Sequence, residues 1–290
     1  MRTFIDREAV QLRLSIARQI TASYEDDPKV LAVLCGGSTA RGQADRWSDL
    51  ELLVVWQESP SDRQRQRVIE ATGGNDPRLW QWDSQIGMCY DEWWYDGPAG
   101  AGLLIEVSHS TVPEIGRLVA ALGSGNASLD LLTLGDALVN GIPLTVSAEL
   151  DSWRAALSPY PRELAIAVVG TYGQIDHFWR WQMYLERGNV LELGVHLAGV
   201  VTRCLQMTFA LSGVWWPGSK WAIDLAGSLG VAPRDFAERL RLISRLDPER
   251  AAVELAAVVD ELYDLAETHL PEVDVARLQA IFHFNRRPYT

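Results

Sequence analysis

The sequence predicts an α/β domain over residues 1–158 followed by an all-α helical-bundle domain over 159–290, and three observations carry that division. An apolar run of strand length, Val30 to Cys35, ends in Gly36-Gly37 and is followed by a second strand-like run, Leu50 to Trp56, the most apolar in the chain. Prolines punctuate the chain at Ser158-Pro-Tyr-Pro161, beyond which the apolar spacing is helical throughout. A length of 290 residues with 48% hydrophobic content is enough to bury a core in each of two domains.

The elements follow in order. Val10, Leu14, Ala17 and Ile20 recur at helical spacing, so Asp6 to Tyr24 is expected to be a helix packed on the sheet. Val30–Cys35 and Leu50–Trp56 are the first strands, and Ser61 to Ala71 reads as an exposed helix with Ser61 as its cap. Gly73 to Pro77 is expected to be a loop, Ser84 to Tyr90 a strand, Asp96 to Gly100 a turn, Leu103 to Ser108 a strand and Pro113 to Leu122 a helix. Asp136 to Val146 contains Gly-Ile-Pro and reads as a connection. Beyond the boundary the helices are expected at Arg162–Glu186, Val190–Leu211, Ala222–Leu229, Pro233–Ile243 and Pro248–Leu265.

The chemistry concentrates in residues 36 to 56. Gly36 and Gly37 permit positive φ and carry no Cβ, which lets backbone N–H groups and the Ser38 hydroxyl approach a phosphate closely. Asp49 and Glu51 lie two apart at the mouth of the next strand, so a period of two turns both carboxylates to one face. Such a pair of oxygen ligands suits Mg²⁺, which takes carboxylates together with phosphate oxygens of a substrate. Heading so apolar a strand, either carboxylate would be costly to desolvate without a cation.

These residues resemble the nucleotidyltransferases of the DNA polymerase β superfamily, and within it the two-domain kanamycin- and streptomycin-type enzymes. The pattern is met by Gly37, Ser38, Asp49 and Glu51, and the third carboxylate it implies falls on Glu106 in Leu103-Leu-Ile-Glu-Val-Ser108. The resemblance covers residues 30 to 108 well and the rest loosely. It implies an α+β catalytic domain with a mixed sheet and an active site in a cleft beside the helical domain. It further implies Mg²⁺ on Asp49, Glu51 and Glu106, with Glu106 either a ligand or the base that removes the acceptor's proton. Gly36, Gly37, Ser38, Arg41 and Lys220 are the candidate nucleotide-binding residues. Lys220 and Lys29 are the only lysines among 26 basic residues, and Lys220 sits in the aromatic loop Gly213-Val-Trp-Trp-Pro-Gly-Ser-Lys-Trp221, where an ammonium would suit a triphosphate.

Composition narrows the acceptor. A net charge of −12 opposes a long nucleic acid, whose binding needs Lys and Arg on phosphates, and favours a cationic small molecule. Twelve tryptophans, among them Trp80, Trp82, Trp94 and Trp221, offer surfaces for stacking. Trp94 and Asp176 are the candidate acceptor-binding residues, whereas His177 and His196 read as packed core histidines. Cys35, Cys89 and Cys204 have no metal-type spacing and read as reduced thiols of a cytoplasmic protein, and neither an apolar leader nor a membrane span is expected. The reading is an Mg²⁺-dependent enzyme moving a nucleoside monophosphate from an NTP, expected to be ATP, to a hydroxyl of a small acceptor. A protein-modifying AMP transferase and a silent nucleotide-binding or antitoxin-like partner protein are the alternatives.

Overall fold

A computed structural model describes residues 6–97 and 102–286. They divide into two compact units, one comprising residues up to Ala121 together with Leu134–Ser158, the other Leu122–Thr133 together with residues from Pro159 onward.

The first unit opens with α1 (Arg7–Glu25), capped by the Asp6 carboxylate, which accepts from the Glu8 and Ala9 N–H groups. β1 (Val30–Cys35), the single turn α2 (Gly37–Ala40) and β2 (Leu50–Trp56) follow. α3 (Asp62–Ala71) starts in a reciprocal capping box between Ser61 and Gln64. β3 (Gly74–Leu79), β4 (Met88–Tyr95) and β5 (Leu103–Thr111) complete most of the sheet. α4 (Val112–Gly123), α5 (Leu129–Asn140), β6 (Ile142–Pro143) and α6 (Ala148–Leu157) close this half of the chain.

The sheet is mixed and six-stranded, in the order β3-β4-β5-β2-β1-β6. β2 and β5 run parallel and the other neighbours antiparallel. Alternation sorts the side chains into two faces. Leu50, Leu52, Val54 and Trp56 of β2, Ile105 and Val107 of β5 and Trp93 of β4 join Leu14, Ile20 and Tyr24 of α1 in one core. Asp49, Glu51, Glu92 and Glu106 therefore belong to the opposite face.

The second unit is helical: α7 (Arg162–Tyr172), α8 (Phe178–Glu186), α9 (Val190–Leu211), α10 (Ala222–Ala226), α11 (Phe236–Ile243), α12 (Pro248–His269) and α13 (Val275–Phe282). Its core gathers Leu164, Val168, Leu193, Met207, Phe209, Leu255, Leu262 and Phe282.

Several local expectations are corrected. The segment expected as a loop at 73–77 is β3, an edge strand whose pairing with β4 is irregular between Asn75 and Arg78; an edge tolerates Pro77 and the left-handed Asp76 (φ +48°) because no strand lies beyond it. The strand expected at 84–90 begins at Met88 and extends to Tyr95. The helix expected over Arg162–Glu186 is broken between α7 and α8. There Gly173 packs too tightly for a side chain, a Cβ lying 2.5 Å from the Val169 carbonyl oxygen and 2.9 Å from Leu278. α5, α6 and α13 were not foreseen, and Pro98 to Gly100 of the expected turn lie outside the described residues.

Candidate active site

The site is built where β1 ends against the start of β2. Cys35 of β1 pairs with Leu52 of β2, and the Gly36 N–H then donates to the Glu51 carbonyl at 2.9 Å. Gly37 turns into the left-handed region (φ +57°), and a Cβ on it would stand 2.4 Å from Glu51 Cδ and 2.5 Å from Oε1. Only a glycine lets this turn close onto the carboxylate. Ser38 and Thr39 come next and are 6% and 2% exposed, and their hydroxyls have no hydrogen-bond partner among the described residues. Buried hydroxyls in that state carry a desolvation cost that an oxygen-rich ligand would relieve.

Sheet register supplies the acidic row. The parallel pairing sets Glu51 beside Glu106, and the antiparallel pairing sets Glu106 beside Glu92, so three glutamates line one face across β2, β5 and β4. Neighbouring strands lie about 4.8 Å apart, and like charges directly opposite repel. Glu92 also lies 3.7 Å from the Arg78 guanidinium of β3. Tyr90 and Trp94, each 40% exposed, flank Glu92 on the same face at the alternate positions of β4. Among the described residues no three His, Cys, Asp or Glu side chains converge as a ready-made metal cluster; the carboxylates stand in a row, one strand spacing apart.

Asp49 precedes β2 by one residue and is steadied from below by Arg13 of α1. The buried Arg13 guanidinium donates through Nε to the Ser48 carbonyl at 3.0 Å and the Asp49 carbonyl at 3.3 Å, and through Nη1 to the Ala9 carbonyl at 3.0 Å. Burial lowers its pKa from the ordinary arginine value, against the raising effect of Asp45 and Asp49. Nothing in the sequence near Arg13 signals this role.

The remaining candidates are distributed differently. Arg41 pairs through Nη2 with the buried Asp136 of α5, which also accepts from Asn140 at 2.8 Å, so its guanidinium is turned onto α5. Burial raises the Asp136 pKa, and Arg41 opposes the rise. Lys220 and Asp176 belong to the second unit. Lys220 is exposed in the loop between α9 and α10; Trp215 and Trp216 of the same loop are buried against Tyr160 and Phe209. Asp176 lies 2.8 Å from Arg180 and accepts from the His177 N–H. His177 and His196, expected as packed core histidines, are only part-buried, and their ring nitrogens meet the Ile281 carbonyl and the Tyr184 hydroxyl respectively.

On the helix-covered face lies a polar network that the sequence did not signal. His109 Nε2 meets Asp91 Oδ2 at 2.8 Å, Trp56 Nε1 donates to His109 Nδ1 at 3.1 Å, and Arg65 pairs with the other Asp91 oxygen. A donor at Nδ1 and a carboxylate at Nε2 hold the imidazole in its neutral Nε2–H tautomer. Burial lowers the His109 pKa, opposed by Asp91. The three cysteines are buried free thiols, and burial pushes Cys35 and Cys204 up to about 12 and Cys89 to about 11.

Against known proteins, residues 137–222 match the model of a domain of unknown function, DUF4037. No curated protein matches the chain. Among solved structures, a nucleotidyltransferase-like protein from Exiguobacterium sibiricum is similar at 13% identity and a TM-score of 0.43, over 95% of this chain and 81% of that one. The Cid1 poly(U) polymerase is similar at 13% identity and a TM-score of 0.29, over 56% of this chain and 48% of its own. Likenesses this distant carry no chemistry, which rests on the residues themselves.

Proposed function

We propose that the chain is a nucleotidyltransferase that moves a nucleoside monophosphate from an NTP to the hydroxyl of a small cationic acceptor. The observation that carries this reading is the closure of Gly37 onto the Glu51 carboxylate, with Glu106 in register beside it. That places a turn suited to phosphate at the head of an acidic row.

The donor set fits a hard divalent cation such as Mg²⁺: Asp49, Glu51 and Glu106 offer only carboxylate oxygens. When bound, the cation would offset phosphate charge and polarise the α-phosphoryl group. The chain's own residues do the rest. The Gly36 and Gly37 backbone with the Ser38 and Thr39 hydroxyls binds phosphate oxygens. Glu106 either takes the proton of the acceptor hydroxyl or holds the cation. The acceptor oxygen bonds to the α-phosphorus as the bond to the β-phosphate oxygen breaks, and pyrophosphate leaves. Glu92, with Tyr90 and Trp94 beside it, supports a positively charged acceptor on the same sheet face.

The test incubates the protein with Mg²⁺, labelled ATP and panels of aminoglycosides, lincosamides, neutral sugars and sugar acids, following pyrophosphate release and product mass. Turnover with the amino-sugar panel is expected. Turnover confined to neutral or acidic acceptors overturns the acceptor class, and absence of turnover with every small molecule overturns the reading in favour of a protein-modifying or silent relative.

A further inference from the structure

The second unit carries an apolar surface that its own core does not use. Helix α9 buries Leu193, Leu197, Val200 and Cys204. At about 100° per residue the opposite side aligns Leu191, Val195, Ala198 and Thr202, with Gly194 and Gly199 on either flank. Leu191 is 83% and Val195 62% exposed, more than any other large aliphatic side chain on a helix among the described residues. A helix on the surface of a globular unit ordinarily turns such residues inward.

We propose that this stripe is the contact between two copies of the chain, with their α9 helices crossing antiparallel about a two-fold axis near residues 196 and 197. Bulky side chains occupy the first half of the stripe and small ones the second, so the surface complements itself only when one copy is reversed. Leu191 then lies over Thr202 of the partner subunit and Val195 over the partner's Ala198, and the absence of a side chain at Gly194 and Gly199 on the two flanks lets the helices approach. Charge selects the same direction. Glu192 and Arg203 share one flank of α9, eleven residues or about three turns apart. A two-fold axis keeps flanks on the same side, which sets Glu192 against the partner's Arg203 at both ends. A parallel pair would instead stack Leu191 on Leu191 and leave Glu192 about three turns from the partner's Arg203.

Both charged groups have only loose contacts within their own chain. Glu192 lies 3.6 Å from His196, and Arg203 donates to the Thr171 and Tyr172 carbonyls at 3.4 Å. One helix face is small beside the roughly 800 Å² per partner of a standard interface, so the dimer is expected to be weak and to form in the micromolar range.

Sedimentation velocity of the full chain over a concentration series tests this directly. The wild type is expected to show a monomer–dimer equilibrium, and Val195→Glu to raise its Kd by at least about tenfold with an unchanged circular dichroism spectrum. Glu192→Arg and Arg203→Glu should each weaken the dimer, and the double variant should restore it. Ala198→Cys should cross-link on oxidation, since the native cysteines are buried. A wild type that stays monomeric throughout, a Val195→Glu variant that dimerises like the wild type, or a double charge swap no tighter than either single one would overturn the proposal.

Discussion

Gly37 and Glu51 occupy one another's space: the hydrogen of the glycine faces the carboxylate, and a methyl group there would lie 2.4 Å from Glu51 Cδ. Gly37→Ala therefore meets two penalties, a left-handed φ and a steric clash. The left-handed backbone alone costs about 1–2 kcal/mol. The expected outcome is a modest fall in Tm with complete loss of Mg²⁺-dependent nucleotide binding, read by calorimetric titration with ATP. Full binding by this variant would separate the turn from the phosphate site.

Removing charge from the acidic row should spare the fold and remove the metal. Glu51→Gln relieves like-charge repulsion with Glu106 across the strands, and Asp49→Asn keeps the side chain's shape, so Tm should stay near the wild type's in both. Thermal shift by ATP with Mg²⁺ should disappear in both. Unchanged Mg²⁺-dependent shifts would take these residues out of the site.

Glu106→Gln distinguishes a base from a ligand. A base lost from the reaction lowers kcat by about 10² to 10⁴ while nucleotide and metal affinity hold. A ligand lost weakens both. Single-turnover rates measured at saturating Mg²⁺ separate the two, and full activity would exclude Glu106 from the reaction.

Arg13 acts through the backbone that presents Asp49. Arg13→Met keeps the bulk of the side chain and deletes its donors to Ser48, Asp49 and Ala9. The expected outcome is a Tm fall together with weaker Mg²⁺ binding that excess Mg²⁺ rescues. A purely structural residue would lower Tm with the metal affinity unmoved.

The Asp91 network predicts acid sensitivity. Burial holds the His109 pKa below its ordinary 6.5, so the unfolded chain takes a proton there that the folded one resists. This contribution is complete above about 6.5 and is lost as pH falls through the lower folded value. Protonation would also set an Nδ1–H against the Trp56 indole N–H. Trp56→Phe removes that opposing donor, so its Tm should fall less steeply between neutral and mildly acid pH than the wild type's. Arg65→Met leaves Asp91 buried beside His109 alone and should cost about 3–5 kcal/mol, the range for breaking a buried ion pair. Thermal melts at several pH values read the first, and chemical denaturation at neutral pH the second.

Local signals carried much of the fold. The 3.6-residue spacing of α1 and α9, the apolar runs of β1 and β2, and the side chains of Asp6 and Ser61 all act within a few residues, where backbone preference and capping are decided. The Gly36–Ser38 turn and the Asp49–Glu51 pair were legible for the same reason. Beyond that range only tertiary structure decides. β3 exists because β4 pairs with it, which no preference of Gly-Asn-Asp-Pro would suggest. Glu92 joins the row through strand register, Arg13 reaches Ser48 across 35 residues, and Arg41 is turned onto Asp136 across 95. Such partners meet only after loop closure has been offset by burial of the core between them, and a sequence pattern holds no record of that geometry.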